Sequence, residues 1–243
     1  MERLIERLRG ATRVTVLTGA GVSAASGVPT FRGAAGMWKQ FRPEQLATPE
    51  AFARDPKTAW EWYDWRRQQI SKAEPNDAHR VLARWASRFP AFTLITQNVD
   101  GLHERAGSKG LLRYHGSIWH MQCAARCNGA GNGWEDRQAP LPVLPPACPH
   151  CGALARPGVV WFGEAIPPEV HRAASQAASS SDVFIAAGTS SVVYPAAGLI
   201  HEAARHGAFI AEINIEMTEA SSSVDAAITG PAEVVLSELE LKI

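Results

Sequence analysis

Four cysteines stand in two short-spaced pairs, Cys123 with Cys127 and Cys148 with Cys151, and twenty residues separate the pairs. Thiolates spaced this way can converge on one tetrahedral ion, so the set suits a single zinc held by four sulfurs. Such a site keeps no open position and is structural, not catalytic. Two disulfides or unrelated thiols are the alternative. Disulfides are disfavoured because the opening residues, MERLIERLRG, lack the apolar stretch of a secretory leader. Nucleic-acid binding by this module is disfavoured too, since Arg126, Arg137 and Arg156 are its few basic residues. A second candidate is Gly19-Ala20-Gly21-Val22-Ser23-Ala24, which fits G-x-G-x-x-G/A directly after an apolar run. Glycines there let a pyrophosphate approach backbone amides, though a plain tight turn explains them equally well. The following Phe31 and Arg32 add a ring able to screen a reactive centre and a guanidinium able to bind phosphate. Third, Tyr63 and Arg66 are three apart in a Trp-rich helical stretch and share a face. A phenol beside a guanidinium can receive a carboxylate, but spacing alone favours a solvated face with Arg66 paired to an acidic neighbour.

The elements that must carry these groups read as alternating strands and helices. Val14–Leu17, Phe92–Ile95, Val183–Ala187 and Phe209–Ile213 are short apolar runs expected as buried parallel strands, and Val159–Phe162 as a fifth strand or extended edge. Helical patterns lie at Ala78–Trp85, Pro168–Ala178 and Ala196–Arg205, and MERLIERLRG places Leu4, Ile5 and Leu8 on one face. The alternation predicts an α/β fold, a Rossmann-like parallel sheet with helices on both faces. Each strand ends in polar residues: Thr18-Gly19-Ala20-Gly21, Thr96-Gln97-Asn98, Gly188-Thr189-Ser190 and Glu212-Ile213-Asn214. In an open parallel sheet those carboxyl ends form the ligand rim. Two stretches interrupt the alternation, Phe31–Lys72 and Trp119–Pro157; the latter holds all four cysteines and six of the sixteen prolines. They are expected to build a small domain from a zinc-binding module and a helical insertion. The division is residues 1–30, 74–118 and 158–243 for the nucleotide-binding domain, 31–73 for a cofactor loop and helical module, and 119–157 for the zinc-binding module.

Composition excludes several classes. With 24 basic and 24 acidic residues the formal charge is zero, which argues against broad electrostatic attachment to nucleic acid. An apolar content of 46% supports a packed core and excludes a disordered chain. No apolar run nears the roughly 18 residues of a membrane span. A cytoplasmic, monomeric protein is the expectation.

The runs GAGVSAASGVPTFRG and TQNVDGLHERAG, the pair His115-Gly116, and the later GTSSVVYP and EIN resemble the sirtuin family of NAD-dependent protein-lysine deacylases. They fall in the family's order from Gly19 to about Ala232. Ala25 departs from the pattern, where the family often has Glu, while Ser23 and Ser26 remain. The resemblance implies a structural zinc on the four cysteines and NAD as a consumed co-substrate. It singles out His115 among eight histidines as the general base. It implies a cofactor set of Gly19, Ala20, Gly21, Ser23, Thr30, Phe31, Arg32, Trp38, Gln97, Asn98, Asp100, Gly188, Thr189, Ser190, Asn214, Ile215, Glu216 and Ala232. Within it Gln97 and Asn98 would hold the nicotinamide-side ribose, Asp100 the carboxamide, Arg32 the phosphates, and Ser190, Asn214 and Ala232 the adenosine half.

Tyr63-x-x-Arg66 is similar to the mark of the class III sirtuins, which prefer succinyl- and malonyl-lysine; LATPEAFARDP and EPNDAHR resemble the same subgroup. Ala47 then supplies room for a longer acyl chain. Acyl-lysine proteins or peptides are the implied partners, entering near Val160, Trp161, Phe162, Gly163 and Glu164. Removal of succinyl, malonyl and acetyl groups, giving nicotinamide and O-acyl-ADP-ribose, is the expected activity. A mono-ADP-ribosyltransferase, a non-catalytic NAD-sensing module and a Rossmann dehydrogenase are the competing readings.

Overall fold

Leu4, Ile5 and Leu8 are buried along one face of the first helix, α1 (Glu2–Gly10), which covers the sheet that starts with β1 (Arg13–Thr18). The computed structural model describes residues 1–30 and 43–243. A 3-10 turn over Ala20–Ser26 leaves β1. Four helices follow, α2 (Pro43–Leu46), α3 (Pro49–Arg54), α4 (Pro56–Lys72) and α5 (Asp77–Arg88). Their starts are set locally. Thr48, Asp55 and Asn76 each accept a first-turn backbone N–H, and proline opens α3 and α4. The chain continues through β2 (Ala91–Thr96), α6 (Leu102–Arg105), β3 (Leu112–Arg113), β4 (Gly116–Cys123), β5 (Trp134–Glu135) and β6 (Ala155–Val159). It closes with α7 (Pro168–Ser180), β7 (Val183–Ala187), α8 (Gly198–Arg205), β8 (Phe209–Asn214), β9 (Ala226–Thr229) and α9 (Ala232–Lys242).

The larger sheet has the order β3-β2-β1-β7-β8-β9, and every pairing in it is parallel. Side chains alternate between two cores, as a strand's period of two demands. Val14, Val16, Val183 and Ile185 pack under α1, α5 and α9, while Leu17, Phe184 and Ala186 pack under α7 and α8. The four apolar runs are thus the sheet's central strands, and β3 and β9 are short edges.

A second sheet, β5-β4-β6, is antiparallel. With α2, α3 and α4 it encloses a separate core that includes Phe52, Trp60, Tyr63, Trp119, Met121 and Trp161. The fifth expected strand is only partly one. β6 ends at Val159, and the next amides leave the ladder singly, Val160 donating to the His115 carbonyl (3.0 Å) and Phe162 to that of Ala47 (3.0 Å). This extended segment therefore stitches the two sheets' domains together instead of extending either sheet.

Candidate active site

The register sets the site. Thr18 pairs with Thr96 and with Ala187, and Ala187 pairs with Ile213, so four strands end in one row. Gly19, Gln97, Gly188 and Asn214 follow side by side. The chain runs outward from β1 through β2 to β3, then resumes on the other side of β1 with β7, so the gap between β1 and β7 is the sheet's switch point. There the backbones nearly touch. Gly21 N–H donates to the Gly188 carbonyl at 2.8 Å, and a Cβ on Gly21 would lie 2.8 Å from Gly188 Cα. Gly188 itself has φ +58° and a Cβ there would lie 2.4 Å from Val22 N. Glycine is thus required by strand-to-strand approach, whatever the ligand.

Above this contact opens a cleft of about 710 Å³ running from the strand ends to α4 and the segment after β6. Its walls include Gly19, Ala20, Gly21, Thr30, Gln97, Asn98, Gly188, Thr189, Ser190, Asn214, Ile215, Glu216 and Ala232 at the sheet end. Ala47, Tyr63, Arg66, His115, Val160 and Phe162 line the other end. One cavity therefore unites most of the residues singled out in the sequence. Phe31, Arg32 and Trp38 lie outside the described residues. Side-chain bonds brace the rim. Gln97 Nε2 donates to Thr189 Oγ1 (2.9 Å), and Asn214 Nδ2 donates to the Thr189 carbonyl (3.1 Å).

Four expected residues sit elsewhere. Ser23 and Asp100 lie buried beneath the floor. Asp100 accepts Leu102 N–H at 2.8 Å, the turn-forming bond natural to Asp before glycine, and Ser23 Oγ–H at 2.7 Å. Burial raises the Asp100 carboxyl above its usual range, against the pull of those two donors. Behind Ser23 stands His79. Its Nδ1 lies 3.0 Å from Asn76 Oδ1 and 3.2 Å from Asn76 N, and its Nε2 lies 3.3 Å from Ser23 Oγ. Burial holds this ring neutral, with a pKa of about 4. Gly163 and Glu164 are the other two. Both are off the cleft wall, and Glu164 is consumed by Arg156 (2.7 and 2.8 Å) and by Trp161 N–H (2.9 Å). The N–H groups of Val160, Trp161, Phe162 and Glu164 are all committed inside the protein.

His115 has the geometry of a base. Its Nδ1 faces the Gln97 carbonyl at 3.2 Å, and a carbonyl only accepts, so Nδ1 carries the hydrogen. Nε2 keeps its lone pair. Burial lowers the pKa from the ordinary imidazole value, and the Gln97 contact opposes that in part.

At the far end, Tyr63 and Arg66 are 2% and 7% exposed, which rejects the solvated-face alternative. The Tyr63 oxygen accepts Trp161 Nε1–H at 2.8 Å, and burial pushes its pKa up to about 12, so its own hydrogen stays on to donate. The Arg66 guanidinium lies 4.9 Å from the Trp62 ring centre. Trp62 and Trp161 also line the cleft. Sequence reasoning gave Trp161 no role of its own, and only its tertiary bond to Tyr63 reveals one.

The cysteine sulfurs all lie within 4.8 Å of one another, with Cys123–Cys151 at 3.5 Å and Cys127–Cys148 at 3.8 Å. Four thiolates around a tetrahedral zinc at about 2.3 Å would stand about 3.8 Å apart, so the set fits one structural ion.

An open parallel α/β domain with a switch-point cleft, joined to a four-cysteine module, is the class this geometry defines. The Sir2 family model matches residues 19–195, and the chain belongs to the Sir2 family. It is 52% identical over 212 residues to an NAD-dependent protein deacylase of Aquifex aeolicus, covering 87% of each chain. To NAD-dependent protein deacylase 1 of Pseudomonas aeruginosa it is 44% identical over 243 residues, covering 98% of this chain and 97% of that one. A solved complex of a Sir2 homologue with NAD superposes with a TM-score of 0.92 at 45% identity, covering 99% of this chain and 93% of that chain.

Cys148 is buried within the sulfur cluster. Cys148→Ser is expected to lose the single equivalent of zinc, read by elemental analysis, and to lower the thermal midpoint. A variant that keeps a full equivalent contradicts the four-sulfur site.

Proposed function

We propose that this chain is an NAD-dependent protein-lysine deacylase that favours acyl groups ending in a carboxylate, succinyl and malonyl, and also accepts acetyl. The observation that carries the reading is the single cleft in which His115 stands between the switch-point rim and the buried Tyr63–Arg66 pair. A dinucleotide fits the rim and an acyl-lysine fits the far end, so the two reactants meet at the imidazole.

NAD is consumed here, and it supplies the ribose carbon that takes the acyl oxygen as nicotinamide leaves. The chain's residues bind, orient and move protons. Gln97 and Asn98 would hold the nicotinamide-side ribose, and Asn98 is fixed by bonds from Nδ2 to the Gly19 carbonyl (3.0 Å) and Ser23 Oγ (3.1 Å). Ser23, backed by His79, holds the Asp100 carboxyl, which would bind the nicotinamide carboxamide. His115 Nε2 accepts the proton of a ribose hydroxyl, whose oxygen then attacks the acyl carbon; water adds to that carbon as its bond to the lysine nitrogen breaks, freeing lysine and O-acyl-ADP-ribose, and Nδ1–H on the Gln97 carbonyl holds the ring in that tautomer. Arg66 offers a two-pronged donor to the acyl carboxylate and Tyr63 a third hydrogen bond. The zinc takes no part in the reaction; its ligands Cys123, Cys127, Cys148 and Cys151 hold the small domain together.

Two outcomes follow. Because burial lowers the His115 pKa, the neutral base persists to lower pH than an ordinary imidazole, and kcat/KM should fall only as pH drops through a value under about 6.5. His115→Ala should lose that limb with roughly 100- to 10,000-fold of the rate while keeping zinc. A variant with wild-type turnover contradicts the role of this ring. Arg66→Met should raise the KM for a succinyl-lysine peptide by roughly 10- to 100-fold and leave an acetyl-lysine peptide nearly unchanged. Unchanged desuccinylation would show that Arg66 does not read the acyl group. ADP-ribosylated peptide, in place of free lysine and O-acyl-ADP-ribose, would reassign the reaction.

A further inference from the structure

Arg67, the residue next to the proposed acyl reader, is a fully buried cation turned away from the cleft. Its Nη2 donates to Asp136 Oδ1 (2.6 Å), to the Asp136 carbonyl (2.7 Å) and to the Gln138 carbonyl (2.9 Å). Nε donates to the same Gln138 carbonyl at 3.2 Å, and Nη1 faces the Ile118 carbonyl at 3.4 Å. The guanidinium carbon lies 5.2 Å from the ring centre of Trp119. That indole donates Nε1–H to the Asp100 carbonyl at 2.6 Å. Asp136 is itself tied to β4, its N–H bonding the Trp119 carbonyl at 2.9 Å. One side chain thus joins α4 to the stretch of the cysteine module between Cys127 and Cys148 and, through the Trp119 indole, to the turn that carries Asp100.

Two more bonds from α4 reach the same module. Trp60 Nε1–H meets the Ala155 carbonyl (2.8 Å), and Asp64 Oδ1 accepts Leu141 N–H (2.8 Å). Residues 60, 64 and 67 lie along one stripe of the helix, interleaved with 63 and 66. Their bonds fix the rotation of α4 about its axis, and that rotation decides where Tyr63 and Arg66 point.

We propose that Arg67 is a positioning residue for acyl selectivity: clamped to Asp136, Gln138 and Trp119, it holds α4 at the rotation that presents Arg66 and Tyr63 to an acyl carboxylate. The inference rests on the acidic-acyl reading above. A bidentate guanidinium–carboxylate pair tolerates little misplacement, whereas an acetyl group offers no carboxylate to misplace. A small rotation of α4 should therefore penalise succinyl-lysine alone.

The test measures KM and kcat for succinyl- and acetyl-lysine peptides with wild type, Arg67→Lys, Asp136→Asn and Arg66→Met, with zinc content and thermal midpoint followed in parallel. Arg67→Lys keeps the charge but loses the fork, and Asp136→Asn changes only the far end of the clamp, on a partly exposed residue. Both are expected to raise the succinyl KM by about tenfold, with kcat and the acetyl KM within about twofold of wild type. Equal losses on the two peptides, or a fall in kcat alone, would make Arg67 a stability residue only and overturn the inference. So would an unchanged succinyl KM. If Arg67→Lys fails to fold, Asp136→Asn decides. Arg66→Met separates the two readings. A succinyl defect there without one in the clamp variants overturns only the role of Arg67. No defect there removes the acidic-acyl reading, and this inference with it.

Discussion

The site depends on two strand ends approaching closer than any side chain permits. Gly21 and Gly188 bring the turn after β1 against the end of β7 with an amide–carbonyl bond of 2.8 Å, at the point where the chain changes direction in the sheet. The parallel register then sets the ends of β2 and β8 beside them, and the rim that holds Gln97, Asn98, Thr189 and Asn214 follows from that alignment. Larger residues at either glycine would push β1 and β7 apart at their carboxyl ends, and the cleft would lose its floor.

The two ends of the cleft rest on different scaffolds. The rim belongs to the parallel sheet, and its polar floor is a chain of satisfied hydrogen bonds from Asn76 through His79 and Ser23 to Asp100. A buried network of this kind fixes geometry because any broken link strands a polar group away from water. The acyl end belongs to α4, which is anchored to the cysteine module by Trp60, Asp64 and Arg67. His115 sits between the two scaffolds, its ring held by the Gln97 carbonyl and its backbone carbonyl taken by Val160, the residue that follows β6. The cysteine module is therefore tied to the orientation of α4, and with it to that of Tyr63 and Arg66.

The central strands are legible in sequence because strands buried on both faces leave unbroken apolar runs, and the cysteine set because metal ligation constrains spacing. β3 and β9 are not legible, being short edges whose pairing depends on neighbours. Spacing places Tyr63 and Arg66 on one helix face but favours a solvated one; only the packing of α4 against β4 and β6 turns that face inward. Glu164 reads as part of a peptide-binding stretch, yet its carboxylate is held by Arg156, a partner eight residues upstream that sequence does not mark. The glycine motif is legible as a motif, while its reason, the approach of Gly188, belongs to tertiary structure.

The backbone contact between Gly21 and Gly188 builds the floor of the cleft at its sheet end. The direct test is NAD affinity, by calorimetry, of Gly188→Ala against wild type. With φ at +58° and Val22 N at 2.4 Å from the added carbon, the variant should lose at least about tenfold in affinity while its four cysteines still hold zinc. Wild-type affinity in that variant would contradict the claim.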